Sequence, residues 1–249
     1  MVKIEIERKF IYKPSLFAYF ICGLGNPPFA SLKIKGKRKI HDIYYDAPVA
    51  STIDGNANAR GSTPGILERN GIWVRRRNER WEAKQRLILP QQKQQEEATG
   101  SSIGSSQSTK APEKERDYYL RTAFKELTCP LAIHNLVKSY IPSAPGADGD
   151  FGLRPIADFS TKRVLAVADG QFEIALDHAS FGHFVGEVEL LVDKGKEAQA
   201  QREIDDFMEI YRWFFFPGDA GSEKTKGRKK EYMLQGKLSA YFEKYPVKF

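Results

Sequence analysis

Near its N-terminus the chain reads Lys3-Ile4-Glu5-Ile6-Glu7-Arg8-Lys9-Phe10, and this stretch alternates strictly. In an extended strand, successive side chains point to opposite faces. Ile4, Ile6, Arg8 and Phe10 therefore share one face, and Glu5, Glu7 and Lys9 the other. A helix would scatter these residues around its circumference, so the pattern predicts a strand over roughly 2–12. Its charged face has two readings. Either it is a solvated sheet face, or it points into an interior where a ligand neutralises it.

Two later stretches repeat the pattern. In Gly71-Ile72-Trp73-Val74-Arg75-Arg76-Arg77, the residues Trp73, Arg75 and Arg77 share a face, with Arg76 outward. In Val185-Gly186-Glu187-Val188-Glu189-Leu190, Glu187 and Glu189 share a face opposite Val188 and Leu190. Apolar residues on the reverse faces fit strands that pack under helices. The charged faces could then line a barrel lumen. Buried like charges are costly unless compensated. Paired carboxylates call for a divalent cation and paired guanidinium groups for phosphate, so a metal–polyphosphate complex would satisfy both.

The remaining elements follow from punctuation and periodicity. Pro14 opens a short helix with Leu16, Phe17, Phe20, Ile21 and Leu24 as its apolar stripe, closed by Gly23 to Pro28. Strands are predicted at 31–35, 39–46, 71–77, 81–87, 117–126, 153–159, 161–168, 171–178 and 183–192. Asp169-Gly170 is a hairpin signal. Helices are predicted at about 130–141, 195–215 and 230–243, the first carrying Ile133, Leu136, Val137 and Tyr140 on one side. The segments 49–65 and 90–114 are too poor in bulky apolar residues to bury a core and read as insertions. Short connections between most strands suit an antiparallel α+β domain, a closed barrel among the possibilities, and not a doubly wound parallel sheet.

Composition narrows the chemistry. The chain has 249 residues, enough for one large domain, and Lys plus Arg exceed Asp plus Glu by 39 − 32 = 7. That balance favours anionic partners. Cys22 and Cys129 make neither a disulfide framework nor a zinc site and are expected as buried thiols. The histidines His41, His134, His178 and His183 show no metal-ligand spacing. Carboxylates without clustered His or Cys suit hard cations, Mg²⁺ or Mn²⁺. There is no Walker A sequence, no Gly-x-Ser-x-Gly and no Cys/His nucleophile pair. The basic run from Lys224 to Lys230 lacks interleaved aromatics, so nucleic acid is not the expected partner. With no apolar leader and no run of 18 apolar residues, a cytoplasmic, non-membrane protein is expected.

Glu5-Ile6-Glu7-Arg8-Lys9 fits the Glu-x-Glu-x-Lys signature of the CYTH domain, the triphosphate tunnel metalloenzymes. The later order agrees: Tyr44-Tyr45-Asp46, Trp73 to Arg77, Trp81-Glu82-Ala83-Lys84, Phe124-Lys125-Glu126-Leu127, Thr161-Lys162-Arg163, Val185 to Glu189 and Lys237-Leu238-Ser239-Ala240-Tyr241. The chain resembles the family from residue 3 to about 243, and within it is most similar to the thiamine triphosphatases. The resemblance implies an eight-stranded antiparallel closed β-barrel with charged residues inside, flanked by helices. It implies Mg²⁺-dependent hydrolysis of a small-molecule triphosphate by a monomer. Glu5, Glu7 and Glu189 would hold the metal. Glu187 and Asp177 would serve a second metal or the attacking water. Lys9, Arg75, Arg77, Lys84, Arg163 and Lys237 would bind phosphate, Lys84 also acting in catalysis. Trp73 would stack on the organic group. One departure is visible: the family often carries Asp-x-Asp before the last strand, where this chain has Ala175-Leu176-Asp177. Local pairing offers alternatives to these roles: Lys84 could pair with Glu82 on the same strand face, and Lys125 could either form a supporting ion pair with Glu126 or line the tunnel.

Overall fold

A computed structural model describes residues 3–48, 65–88, 119–146, 149–216 and 234–246 of the chain. The eight strands are β1 (Lys3–Phe10), β2 (Leu32–Asp46), β3 (Ile72–Arg77), β4 (Arg80–Arg86), β5 (Tyr119–Leu127), β6 (Arg154–Ala168), β7 (Phe172–Ala179) and β8 (Phe184–Asp193). They close into a barrel in the order β1-β5-β4-β3-β2-β6-β7-β8, and every pairing is antiparallel. Closure leaves alternate residues of each strand inside. Asn78-Glu79 joins β3 to β4 as a two-residue hairpin, and Asp169-Gly170-Gln171 joins β6 to β7. Asn78-Glu79 and Asp169-Gly170 both have positive φ at each residue, the twist that matches right-handed strands.

The helices are α1 (Phe17–Cys22), α2 (Ile66–Arg69), α3 (Pro130–Tyr140), α4 (Glu197–Ile210), α5 (Arg212–Phe215) and α6 (Lys237–Lys244). The largest core lies outside the barrel wall, where Ile4, Ile6, Phe10, Ile174, Leu176, Val188 and Leu190 meet Ile204, Phe207 and Met208 of α4 and Phe214 and Phe215 of α5. Each of these side chains contributes about 1.5–3 kcal/mol by leaving water. Gly186 is required here: a Cβ on it would lie 2.1 Å from the Phe10 ring, which packs edge-on against Phe215 at 4.9 Å. Arg8 is on this outer face too and is fully buried. Its Nε donates to Asp205 at 2.7 Å and its Nη2 to Gln201 Oε1 at 3.3 Å, which ties α4 to β1. A second cluster packs α2 and α3 on the outer faces of β3 and β4, through Leu67, Ile133 and Val137 against Val74 and Ala83. The buried Asp46 carboxylate accepts the backbone N–H groups of Leu67 (2.9 Å) and Glu68 (3.0 Å), fixing α2 to the end of β2. In α6, Leu238 packs on Tyr44, Ala157 and Phe159. Among the described residues no helix is long and apolar enough to cross a membrane.

Several expectations are corrected. Residues 31–35 and 39–46 form one strand with an irregularity between Ile34 and Gly36, and 153–159 and 161–168 also form one. Each merged strand is held by continuous pairing, which a local polar interruption such as Ser160-Thr161 does not break. The helix predicted over 195–215 divides at Tyr211 into α4 and α5. Helix α1 is only six residues long, so Phe20 alone is buried, while Ile21 and Leu24 are exposed. Cys22 and Cys129 are exposed rather than buried, the first on this short helix and the second just before α3. The proposed insertion 90–114, nearly all of 49–65 and the basic run 224–230 lie outside the described residues.

Candidate active site

The barrel encloses a cavity of about 760 Å³. Ten basic and seven acidic side chains line it, so its excess charge is positive although single-sign clusters sit inside it. All the residues singled out from the sequence line this cavity except Asp177, which is on the inward face of β7 but fully buried under Arg163 and Lys237. The strand alternation is the cause: Glu5, Glu7 and Lys9 on β1, Trp73, Arg75 and Arg77 on β3, Lys84 on β4, Arg163 on β6, and Glu187 and Glu189 on β8 fall on inward positions. Lys237 enters from the first turn of α6.

Register then sorts the carboxylates into two groups. Glu7 lies opposite Glu189, whereas Lys9 lies opposite Glu187. The first pairing brings like charges together. One oxygen each from Glu5, Glu7 and Glu189 falls within 4.8 Å of the others. Burial raises the Glu5 carboxyl above its ordinary range even though Lys84 opposes the shift. Burial and then the Glu5 charge raise Glu189. Glu189 has no hydrogen-bond or ion-pair partner among the described residues. Three converging carboxylates that repel one another, without His or Cys, fit a hard divalent cation.

The second group is already neutralised. Arg163 donates from Nε and Nη2 to Asp177, both at 2.7 Å, and from Nη2 to Glu187 at 2.6 Å. Lys237 Nζ donates to Asp177 at 2.5 Å and to Glu187 at 2.8 Å, and Lys9 reaches Glu187 at 3.2 Å. Lys9 also contacts Glu7, so it stands between the two groups. Burial opposes charge on Glu187, but Lys237, Lys9 and Arg163 outweigh it and hold the carboxyl well below its usual range. Asp177 is lowered in the same way, burial being overcome by Lys237 and Arg163. Ala175, the departure noted in the sequence, lies opposite Glu187 and contributes no donor.

The remaining cations are aimed by carboxylates and aromatic rings. Arg77 forks onto Asp42 at 2.8 and 2.9 Å. Arg75 donates to Glu82 at 2.8 Å and from Nη1 to the Tyr44 hydroxyl at 3.3 Å. Lys84 is not paired with Glu82. Its Nζ contacts Glu5 at 2.7 Å, Glu126 at 3.2 Å and Glu7 at 3.7 Å. Lys84 therefore bridges the carboxylate group and also sits 5.2 Å from the Phe124 ring centre. Glu126 takes this partner instead of Lys125, because on β5 Thr122, Phe124 and Glu126 face inward and Lys125 does not. Trp73 lines the cavity half-buried, edge-on to Phe124 at 5.6 Å.

The sequence reading passed over Asp42, Tyr44, Glu82, Arg38 and Glu173. On β2 the inward set Arg38, Ile40, Asp42 and Tyr44 mixes polar and apolar types just as the outward set does, so alternation alone does not mark it, whereas Glu173 shares the phase of Asp177. Glu173 lies opposite Glu189 and is raised by burial and by that charge.

No family model matches the chain, and no curated protein matches it. Solved structures resemble it over most of its length at low identity. A Pyrococcus horikoshii OT3 protein is 13% identical, with 82% of this chain and 88% of that chain covered and a TM-score of 0.42. An adenylate cyclase candidate from Vibrio parahaemolyticus is 11% identical, with 85% and 89% covered and a TM-score of 0.41. An adenylyl cyclase candidate from Hippeastrum, described as having a dominant triphosphatase activity, is 12% identical, with 83% and 86% covered and a TM-score of 0.39. These likenesses assign no activity to the chain.

Proposed function

We propose that the cavity binds a small-molecule triphosphate with Mg²⁺, or Mn²⁺, and hydrolyses its terminal phosphoanhydride bond. The observation that carries the reading is the convergence of Glu5, Glu7 and Glu189 inside a cavity with surplus basic residues. The resemblance to triphosphate tunnel metalloenzymes supports it. A water oxygen bonds to the terminal phosphorus, the P–O bond to the bridging oxygen breaks, and orthophosphate and a diphosphate leave. A cation held by Glu5, Glu7 and Glu189 would supply Lewis-acid polarisation of the phosphate oxygens and a lowered water pKa.

The chain's own groups supply positioning and charge. Arg75 and Arg77, held by Glu82 and Asp42, present fixed guanidinium groups to phosphate oxygens. Lys9, Lys84, Arg163 and Lys237 spread the remaining negative charge as it shifts to the leaving oxygen. Lys84 touches both Glu5 and the phosphate space, which suits it to the catalytic step. Glu187 is a weak proton acceptor while three cations hold it. Its contribution, with Asp177, is to aim Arg163 and Lys237. On this reading one cation site is complete and a second site built on Asp177 and Glu187 is not.

Thiamine triphosphate is the first-choice substrate, with inorganic tripolyphosphate next, and Trp73 would stack on the thiamine rings. Phosphate release should be measured with purified protein and Mg²⁺ over thiamine triphosphate, tripolyphosphate and ATP, then after EDTA. Absence of metal-dependent release from all three would defeat the proposal. Trp73→Ala should lose roughly threefold to tenfold on the thiamine compound alone, the size of an aromatic stacking contact. A second reading, a non-catalytic triphosphate-binding module, is favoured by Ala175 and by the ion-paired state of Glu187. Tight binding without release would identify it.

A further inference from the structure

The first half of β2 carries a run of positive charge of which only Arg38 and Lys39 border the cavity. From residue 32 it reads Leu-Lys-Ile-Lys-Gly-Lys-Arg-Lys. Lys33, Lys35, Lys37, Arg38 and Lys39 are all exposed, and so is Lys162, which lies opposite Lys39 on β6. Like charges opposed across a sheet are unfavourable. None of the six has an ion-pair partner among the described residues. Among the described residues the only strand beside this half of β2 is β6, since β3 pairs with β2 from Asp42 to Tyr45.

The basic stretch is continuous with the cavity. Arg38 lies opposite Arg163 and Gly36 opposite Leu165, and Arg38, Arg163 and Leu165 all line the cavity. Lys33 is on the same face, opposite Val167, while Lys37 takes the other face and Lys39, though out of phase, still borders the cavity. The irregularity between Ile34 and Gly36 falls at Lys35 and takes it out of the ladder. From Lys33 to Arg38 the strand extends about 17 Å. Positive charge therefore leads outward from the cavity rim, farther than a triphosphate held inside would reach.

We infer that this ribbon is a docking track for the distal phosphates of a linear inorganic polyphosphate whose terminal phosphates occupy the cavity. The inference rests on the proposed triphosphate site and extends its substrate class to longer chains. A repeating anion without bases fits the surface better than nucleic acid does. Residues 32–39 and the facing residues 162–168 include no aromatic side chain on which bases would stack. Five of the six cations are lysines, compact point charges that suit a flexible phosphate chain.

The test uses Lys33→Gln/Lys35→Gln/Lys37→Gln, three positions outside the cavity lining. Metal-free binding of end-labelled long-chain polyphosphate is read by fluorescence anisotropy, and KM is measured with Mg²⁺ for tripolyphosphate and for the long chain. The variant should lose about tenfold in affinity for the long chain at low salt, as expected for several exposed charge contacts. Its tripolyphosphate kinetics should not change, and added salt should erase the difference. The proposal is overturned if wild type does not bind the long chain, or if wild type and variant bind it equally. It is also overturned if the variant aggregates with unchanged affinity, which would mark the lysines as guards of an unpaired strand edge. An equal, ribbon-dependent gain for a 5′-triphosphorylated RNA oligonucleotide would replace polyphosphate with nucleic acid. Because binding is read without turnover, absent hydrolysis would count against the triphosphatase, while ribbon-dependent binding would still support the track.

Discussion

Asp177→Asn separates the two roles a carboxylate can have in this barrel. Asp177 is fully buried, accepts two hydrogen bonds from Arg163 at 2.7 Å each and one from Lys237 at 2.5 Å. The substitution keeps the side-chain shape and removes the charge. Arg163 and Lys237 then have only Glu187 to balance them. Removing one partner of a buried ion pair costs about 3–5 kcal/mol, and the remaining Glu187 places this case near 3 kcal/mol. For a domain of this size that is a fall in Tm of roughly 6–12 °C. Calorimetry without metal measures it, and titration calorimetry with Mn²⁺ on the same protein measures metal affinity. The expected result is a large loss of stability with Mn²⁺ affinity within about twofold of wild type, a difference of roughly 0.4 kcal/mol. A Tm change under roughly 2 °C would refute the ion-pair argument. A loss of Mn²⁺ affinity matching that of Glu5→Gln would make Asp177 a ligand, as the family resemblance implies.

Glu5→Gln and Glu189→Gln should each abolish turnover and weaken Mn²⁺ binding at least tenfold, with the circular dichroism spectrum unchanged; near wild-type hydrolysis in either would remove the metal assignment. Gly186→Ala should destabilise the protein by about 1–3 kcal/mol, because the new Cβ meets the Phe10 ring, and chemical denaturation would show it. Asp42→Asn tests pH dependence. Burial opposes the Asp42 charge, but Arg77 and Arg75 outweigh it and lower its pKa in the folded state. Its stabilisation is therefore full above the unfolded value, roughly pH 4, and lost as pH falls through the lower folded value. Wild type should exceed Asp42→Asn in Tm at neutral pH, and the two should converge in acid; a constant difference across that range would contradict the assignment.

The inward faces were legible wherever charge alternated with aliphatic residues, as on β1 and β8. They were not legible on β2, where Lys39, His41, Ile43 and Tyr45 alternate with Arg38, Ile40, Asp42 and Tyr44. Both sets mix polar and apolar types, so period alone does not tell inside from outside. Only pairing with β3 and β6 decides, and it places Asp42 under Arg77. The exposure of Cys22 and Ile21 has a similar cause. Periodicity over 14–24 gave a longer helix than the chain forms, and the six residues of α1 have room to bury only Phe20.

The same limit applies to the carboxylates. Glu187 and Glu189 are two apart on one strand face, and nothing in their neighbours in sequence separates a ligand from an anchor. The separation comes from which β1 residue each one meets. Glu189 faces Glu7, so charge accumulates and a cation is wanted; Glu187 faces Lys9, with Arg163 and Lys237 beside it, so charge is cancelled. A slip of two residues between β1 and β8 would keep every side chain on its face and leave the outer core apolar. In one direction it would bring Glu7 opposite Glu187 and Glu5 opposite Glu189, and would leave Lys9 opposite Val185, so both β8 carboxylates would face a β1 carboxylate. The outer packing that fixes this register, Phe10 against Gly186 and Arg8 under α4, therefore does more than stabilise the barrel. It determines which carboxylate is left free inside.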